Sequence, residues 1–159
     1  MDAQVETKAG LTLNLISKEQ IIDPTSGVLL HEIIHLNAGS SQSGVLHRVD
    51  FSREDEFLQA ALIEIPPRHS FRPHIHLERE QVSSNFRAQE SWVVVSGQVL
   101  VHYYSEDRAY LCTKTLGAGD LSITYRGGHG YEAGPSGALV YEFKTGPYLG
   151  REIDKEFLD

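Results

Sequence analysis

The sequence predicts an all-β domain, a sandwich or barrel of antiparallel strands, on three observations. From about residue 56 to residue 145 the apolar residues fall in short or alternating runs, too short for helices. Glycine and proline punctuate these runs, at Pro66-Pro67, Ser96-Gly97 and Gly146-Pro147. Two alternating runs are joined by the polar stretch Ser105-Glu106-Asp107-Arg108, which reads as a hairpin and makes a β-meander. A length of 159 residues with 40% hydrophobic and 23% charged residues suits one globular domain with a real core.

Taken in order, Leu11, Leu13 and Leu15 alternate as in a strand, which predicts a strand and then a turn; Ser17 and Gln20 also fit a helix capping box. Residues 39–44 are a flexible polar loop, too short to link domains. Leu58 to Ile65 is the first clear strand. Ser91 to Val95 and Gln98 to Tyr104 are two more, hinged at Ser96-Gly97, and in the second Val99, Val101 and Tyr103 share a face opposite Leu100, His102 and Tyr104. Ala109 to Thr115 follows the hairpin, and Ala138 to Lys144 is the last strand. Residues 149–159 are charged around Ile153, Phe157 and Leu158, a tail suited to docking on the barrel or on a partner subunit. No internal repeat or low-complexity tract is present.

Charge and cysteine content narrow the partners. With 14 basic against 22 acidic residues the formal net charge is -8, which argues against a nucleic-acid partner held by counterion release. Cys112 is the lone cysteine and forms no intramolecular disulfide; the first residues lack the pattern of a secretory signal, so a cytoplasmic location is expected. No window has the 18 or so apolar residues that a membrane-spanning helix needs, so no membrane partner is expected.

The chemistry-bearing residues are His74, His76, Glu90 and His129. His74 and His76 are two apart, so on a strand both imidazoles point to one face, just after the turn-rich stretch 66–73, either to meet one ion or as an exposed pair of strand histidines. Glu90 opens the run Ser91-Trp92-Val93-Val94-Val95, where period two puts it on the face of Trp92 and Val94. An inward carboxylate is costly unless paired or metal-bound; the alternative is an exposed cap at the strand's start. His129 stands in Gly127-Gly128-His129-Gly130, where glycines let the backbone turn tightly, either to bring the ring inward or simply to make a turn.

Together these residues resemble the motifs of the cupin superfamily, over roughly residues 57–148, with N-terminal strands in 1–56 and a tail in 149–159. Glu90 with Gly97, and Gly119-Asp120 followed by a strand, Gly127 and His129, match the two motifs. The resemblance implies a single-domain jelly-roll barrel with a short N-terminal extension, and a metal-ligand role for His74, His76, Glu90 and His129. It departs from the pattern in three ways. The gap of thirteen residues between His76 and Glu90 is long, and Glu80 has the usual spacing instead; taking Glu90 makes Leu77 to Gln89 an inserted, charged loop that could serve as a lid. Tyr125 stands where proline is usual. His129 lies one residue closer to the preceding glycine, and no Asn follows it. Three nitrogens and one carboxylate leave coordination sites open and suit one divalent Fe, Mn, Ni or Zn. A narrower likeness, to small cupins associated with bacterial surface-polysaccharide genes, rests on Lys144-Thr145-Gly146-Pro147-Tyr148.

The expected function is metal-dependent chemistry on a small polar metabolite, such as a sugar or sugar nucleotide, with isomerase, lyase, hydrolase and oxygenase chemistry all open. A cupin that binds or senses a small molecule without turning it over is the alternative. Candidate catalytic residues are Tyr125 and Glu142. Candidate substrate contacts are Arg72, Arg126 and Lys144, with Arg68 on the same cationic rim, and Trp92, Tyr103 and Tyr141 as rings to stack on a sugar or to fill the core. Strand alternation leaves open whether Glu142 and Lys144 face in or out. His31-Glu32-Ile33-Ile34-His35 matches the zinc-peptidase helix motif, but Ala38 replaces the glycine of the extended pattern and no third His follows. A homodimer is expected, because a small barrel exposes edge strands and both chain ends carry apolar residues.

Overall fold

The computed structural model describes residues 16–23, 25–27, 29–36, 45–81, 84–147 and 150–158. The chain divides into two compact units, 1–41 and 42–159. In the first, β1 (Ile16–Ile22) and β2 (Leu29–Leu36) form an antiparallel hairpin with Ile16 opposite Leu36. The Asp23 carboxylate closes its turn by accepting from the Thr25 amide at 2.9 Å and the Ser26 hydroxyl at 2.8 Å. Ser17 and Gln20 therefore lie in a strand and cap no helix. Leu11, Leu13 and Leu15 and the polar loop 39–44 lie outside the described residues.

The second unit contains β3 (His47–Asp50), β4 (Leu58–Ile65), β5 (His74–His76), β6 (Glu78–Gln81), β7 (Ser84–Arg87), β8 (Glu90–Tyr104), β9 (Tyr110–Gly117), β10 (Leu121–Thr124), β11 (Gly128–Thr145), a helical turn α1 (Arg151–Asp154) and β12 (Lys155–Phe157). Pairing runs in the order β10-β8-β11-β4-β3, with β9 on β8 and with β5 between β11 and β12. Two long strands give this unit its shape. β8 pairs with β10 through Glu90 to Val93 and with β9 through Gln98 to Tyr104, while β11 pairs with β5 at one end and with β4 at the other. Each long strand thus serves both halves of the double sheet.

The two runs flanking Ser96-Gly97 are one bent strand. Gly97 sits at φ +79°, and a Cβ there would overlap the Gly137 carbonyl oxygen, so the bend and the close crossing of β11 both require glycine. Register breaks in β11 between Ala133 and Ala138 accommodate the same bend. Inside it pack Ile63, Ile65, Trp92, Val94, Val99, Val101, Tyr131 and Val140. At roughly 1.5–3 kcal/mol for each large apolar side chain fully buried, these contacts are the main force closing the barrel. Trp92 stacks flat on Tyr131, ring centroids 3.8 Å apart.

Two segments are more ordered than the sequence implied. The insertion between His76 and Glu90 is a β6–β7 hairpin, with Glu80 opposite Asn85. The C-terminal tail docks on its own barrel: β12 pairs antiparallel with β5, the Leu158 amide donates to the Pro73 carbonyl at 2.9 Å, and Leu158 is buried. The β-barrel therefore extends beyond the 57–148 region on both sides, to β3 and to β12. Among the described residues no helix is long and apolar enough to cross a membrane.

Candidate metal centre

His74 and His76 on β5, Glu90 at the start of β8 and His129 at the start of β11 converge. One ligand atom from each lies within 4.8 Å of the others, and all four side chains are buried. Local sequence explains each placement. The His-x-His alternation on β5 aims both rings at one face, and their planes meet edge to face at 5.1 Å. Register across the sheet puts His129 directly opposite His74, with ring centroids 4.5 Å apart. Gly127, at φ +77° against the Tyr104 carbonyl, sets the turn that starts β11. Glu90 faces inward with Trp92 and Val94, as alternation predicted.

Glu90 holds the cluster together. Its carboxylate lies 3.3 Å from His76 Nε2, accepts from or pairs with His129 Nε2 at 3.2 Å, and accepts from the Trp92 indole at 2.9 Å. Burial would push its pKa up, but the charges and hydrogen bonds of His129 and His76 outweigh that and hold it well below the usual carboxylate range. His74 moves the other way: burial first, then the nearby His129 and Lys155, lower it to about 3, so its imidazole is neutral and its lone pair free. Burial also pushes His76 down. Hydrogen bonds and charges from Asp154 and Glu90 overcome that and raise its pKa, so two carboxylates favour positive charge at this ring.

Hydrogen bonds alone do not satisfy this cluster. His74 Nε2 and His129 Nδ1 are buried without a hydrogen-bond partner, and the two His76 nitrogens reach only the Glu90 and Asp154 carboxylates, at 3.3 and 3.4 Å. Each such orphan costs roughly 1–3 kcal/mol, a penalty that one cation bound by the imidazoles would remove. The donor set, three nitrogens and one carboxylate, fits a borderline divalent transition metal.

Asp154 was not anticipated from the sequence. It arrives on α1, is fully buried, and its Oδ2 lies 3.4 Å from His76 Nδ1 while accepting from Lys144 Nζ at 2.9 Å. Those two partners hold its pKa below the usual range against the effect of burial. A carboxylate behind a ligating histidine fixes the ring's orientation. Its place in a charged tail far along the chain gave no periodic signal. Tyr131 was also missed; two residues after His129 on the same strand face, it carries a buried hydroxyl whose pKa burial pushes well up, so it stays protonated.

A cavity opens beside the cluster. Its outer part, about 350 Å³, is lined by Arg48, Asp50, Ser52, Glu54, Gln59, Glu90, Glu142, Lys144, Arg151 and Lys155. An inner part of about 140 Å³ shares Arg48, Glu90, Glu142 and Lys155 and adds His74, Trp92 and Tyr131. Glu142 and Lys144 thus face inward, opposite Trp92 and Glu90 on β8. Glu142 is paired with Arg48 at 2.7 Å.

Other expected contacts lie elsewhere. Tyr125 and Arg126 are exposed and line a third cavity, of about 600 Å³, that shares no lining residue with the other two; the loop before β11 turns their side chains away. Arg72 is exposed with its guanidinium over the Phe157 ring at 4.8 Å, and Arg68 is an exposed turn residue. Tyr103 packs against the core and shares a hydrogen bond with Ser122 at 2.9 Å, and Tyr141 stands 6.2 Å from Phe51. Trp92 reaches the inner cavity but its indole N–H is committed to Glu90. His31, Glu32 and His35 lie on strand β2, so the helix that a zinc-peptidase motif requires is absent there.

No protein-family model and no curated protein matches the chain. Solved structures do match in fold. A conserved double-stranded β-helix protein from Klebsiella pneumoniae is 18% identical with a TM-score of 0.53, over 75% of this chain and 89% of that one. A variant oxalate decarboxylase from Bacillus subtilis is 18% identical with a TM-score of 0.55 over 71% of this chain, which spans 28% of the decarboxylase. The cupin domain of Cnp3 from Schizosaccharomyces pombe is 14% identical with a TM-score of 0.51, over 82% and 86% of the two chains. At such identities the likeness is one of architecture, and together with the bent β8 and β11 it shows that this chain has the double-stranded β-helix fold of the cupins.

Proposed function

We propose that this protein is a metal-dependent enzyme acting on a small, polar, oxygen-rich metabolite of about the size of one sugar ring. The observation that carries the reading is the buried cluster of His74, His76, Glu90 and His129, two members of which, His74 and Glu90, reach the wall of a cavity. These four residues would hold one divalent ion, which when bound would polarise a substrate carbonyl or hydroxyl. The residues around it have separate tasks. Trp92 fixes the Glu90 carboxylate and Asp154 the His76 ring. Tyr131 lines the inner cavity beside Trp92, and Glu142, paired with Arg48, is placed to accept a proton. A cavity of about 350 Å³ lies at the small end of ligand sites, which favours a sugar or sugar acid over a whole sugar nucleotide.

The test is metal content. Alanine replacement of His74, His76 or His129, or Glu90→Gln, is expected to lower bound metal from one per chain to well below half, while Glu80→Gln leaves it unchanged. Full metal occupancy in all of the first four would overturn the assignment.

A further inference from the structure

Strand β12 brings a lysine to the metal centre. Lys155 stands directly opposite His76 and Phe157 opposite His74 in the β12–β5 pair. Residues opposite one another on antiparallel strands project from the same face, and the His74 and Phe157 rings do meet there, at 6.4 Å. The Lys155 side chain is therefore directed to the histidine side of the sheet, where it lines both the inner and the outer cavity.

Two other cations of these cavities, Arg48 and Lys144, are already committed to carboxylates, and the Arg151 guanidinium lies over the Phe157 ring at 5.6 Å. Arg48 binds Glu142 at 2.7 Å and Asp50 at 2.8 Å, and Lys144 binds Asp154 at 2.9 Å. Lys155 has no ion-pair partner among the described residues, although it is partly buried beside His74 and Glu90. A lysine that lines a partly enclosed cavity with no ion-pair partner of its own is placed to meet the anionic group of a ligand. The charge balance indicates what kind. Asp50, Glu54, Glu90 and Glu142 line the same space, so a dianion such as phosphate meets strong repulsion, whereas one negative charge matches the one uncommitted ammonium of the inner cavity.

Building on the proposed metal-dependent activity, we propose that Lys155 anchors a substrate carboxylate, and that the substrate is a small hydroxy or sugar acid. The carboxylate at Lys155 leaves the hydroxyl or carbonyl oxygens to reach the His74, His76, Glu90 and His129 cluster.

The experiment is binding to Mn(II)-loaded protein by titration calorimetry. Gluconate and glycolate are compared with their neutral counterparts glucose and ethylene glycol and with inorganic phosphate, on the unaltered chain, Lys155→Met and Lys155→Arg. Metal content is measured in parallel. The expected result is that at least one acid binds tenfold or more tighter than its neutral counterpart, that Lys155→Met loses at least tenfold at unchanged metal content, and that Lys155→Arg keeps most of the affinity. Neutral compounds or phosphate binding as tightly as the acids, no acid binding, or an unaffected Lys155→Met would each overturn the proposal. If the unaltered chain takes up no metal, the metal-dependent reading fails by itself, and the same Lys155→Met comparison on metal-free protein still decides the carboxylate anchor.

Discussion

At the residue scale the centre is a set of buried charges that constrain one another. His74 is held neutral with a pKa of about 3 against an ordinary 6.5, so the unfolded chain binds a proton between these values that the folded chain refuses. Its contribution to stability is complete above pH 6.5 and is lost as the pH falls towards 3. His76, raised, has the opposite sign and contributes no slope below 6.5; the lowered Glu90 and Asp154 act only below their ordinary values of 4.5 and 3.8. Urea denaturation of chelator-treated protein is therefore expected to show stability falling from pH 6.5 to 5, with a shallower fall in His74→Gln. Asp154 gives a second outcome. Asp154→Asn keeps the shape but removes the charge behind His76 and beside Lys144, and metal affinity should fall by about 10–100-fold, read by competition with a chelator, while the circular dichroism spectrum is unchanged.

At the scale of elements, strand pairing does the positioning. β5 is three residues long and would be an isolated edge, but β11 covers one side and β12 the other. The tail thus stabilises the strand that bears two of the four cluster residues, and it delivers Asp154 and Lys155 at the same time. Bending is the other requirement, because β8 must carry Glu90 into one half of the barrel and Val99 and Val101 into the other. Gly97→Ala tests this: a positive φ and a Cβ against the Gly137 carbonyl should together cost roughly 2–5 kcal/mol. A thermal midpoint within a degree or two of the unaltered protein would show that the bend does not depend on glycine.

At the scale of the whole molecule, the hairpin of β1 and β2 raises the question of assembly. A two-stranded hairpin is marginal in water by itself, and Ile21, Ile22, Leu30 and Ile33 are exposed in a single chain. We propose that two chains associate. Light scattering at micromolar concentration should give the mass of two 17.7 kDa chains, and removal of residues 1–41 should give a monomer; a monomeric 159-residue chain would rule the dimer out.

The fold class was legible in the chain because it is written in period two, and the four cluster residues because their spacing with the surrounding glycines resembles the cupin motifs. Alternation marked β8 and the second half of β11, and it put His74 with His76 and Glu90 with Trp92 on shared faces, although an exposed cap at Glu90 stayed open until the strand was placed. The Gly97 hinge and the glycines around His129 were legible too, since only special backbone positions demand such residues. Alternation is blind to which face becomes the interior, so the inward aim of Glu142 and Lys144 was settled only by the closing of β11 against β8 and β4. It is also blind to pairing at a distance. Asp154 and Lys155 read as part of a charged tail until β12 met β5, whereas Tyr125 and Arg126, close to His129 in sequence, were carried to another surface by one turn. Sequence determines periodicity and local turns; the neighbours of a side chain across a sheet depend on register between strands far apart in the chain, and only the tertiary structure decides that.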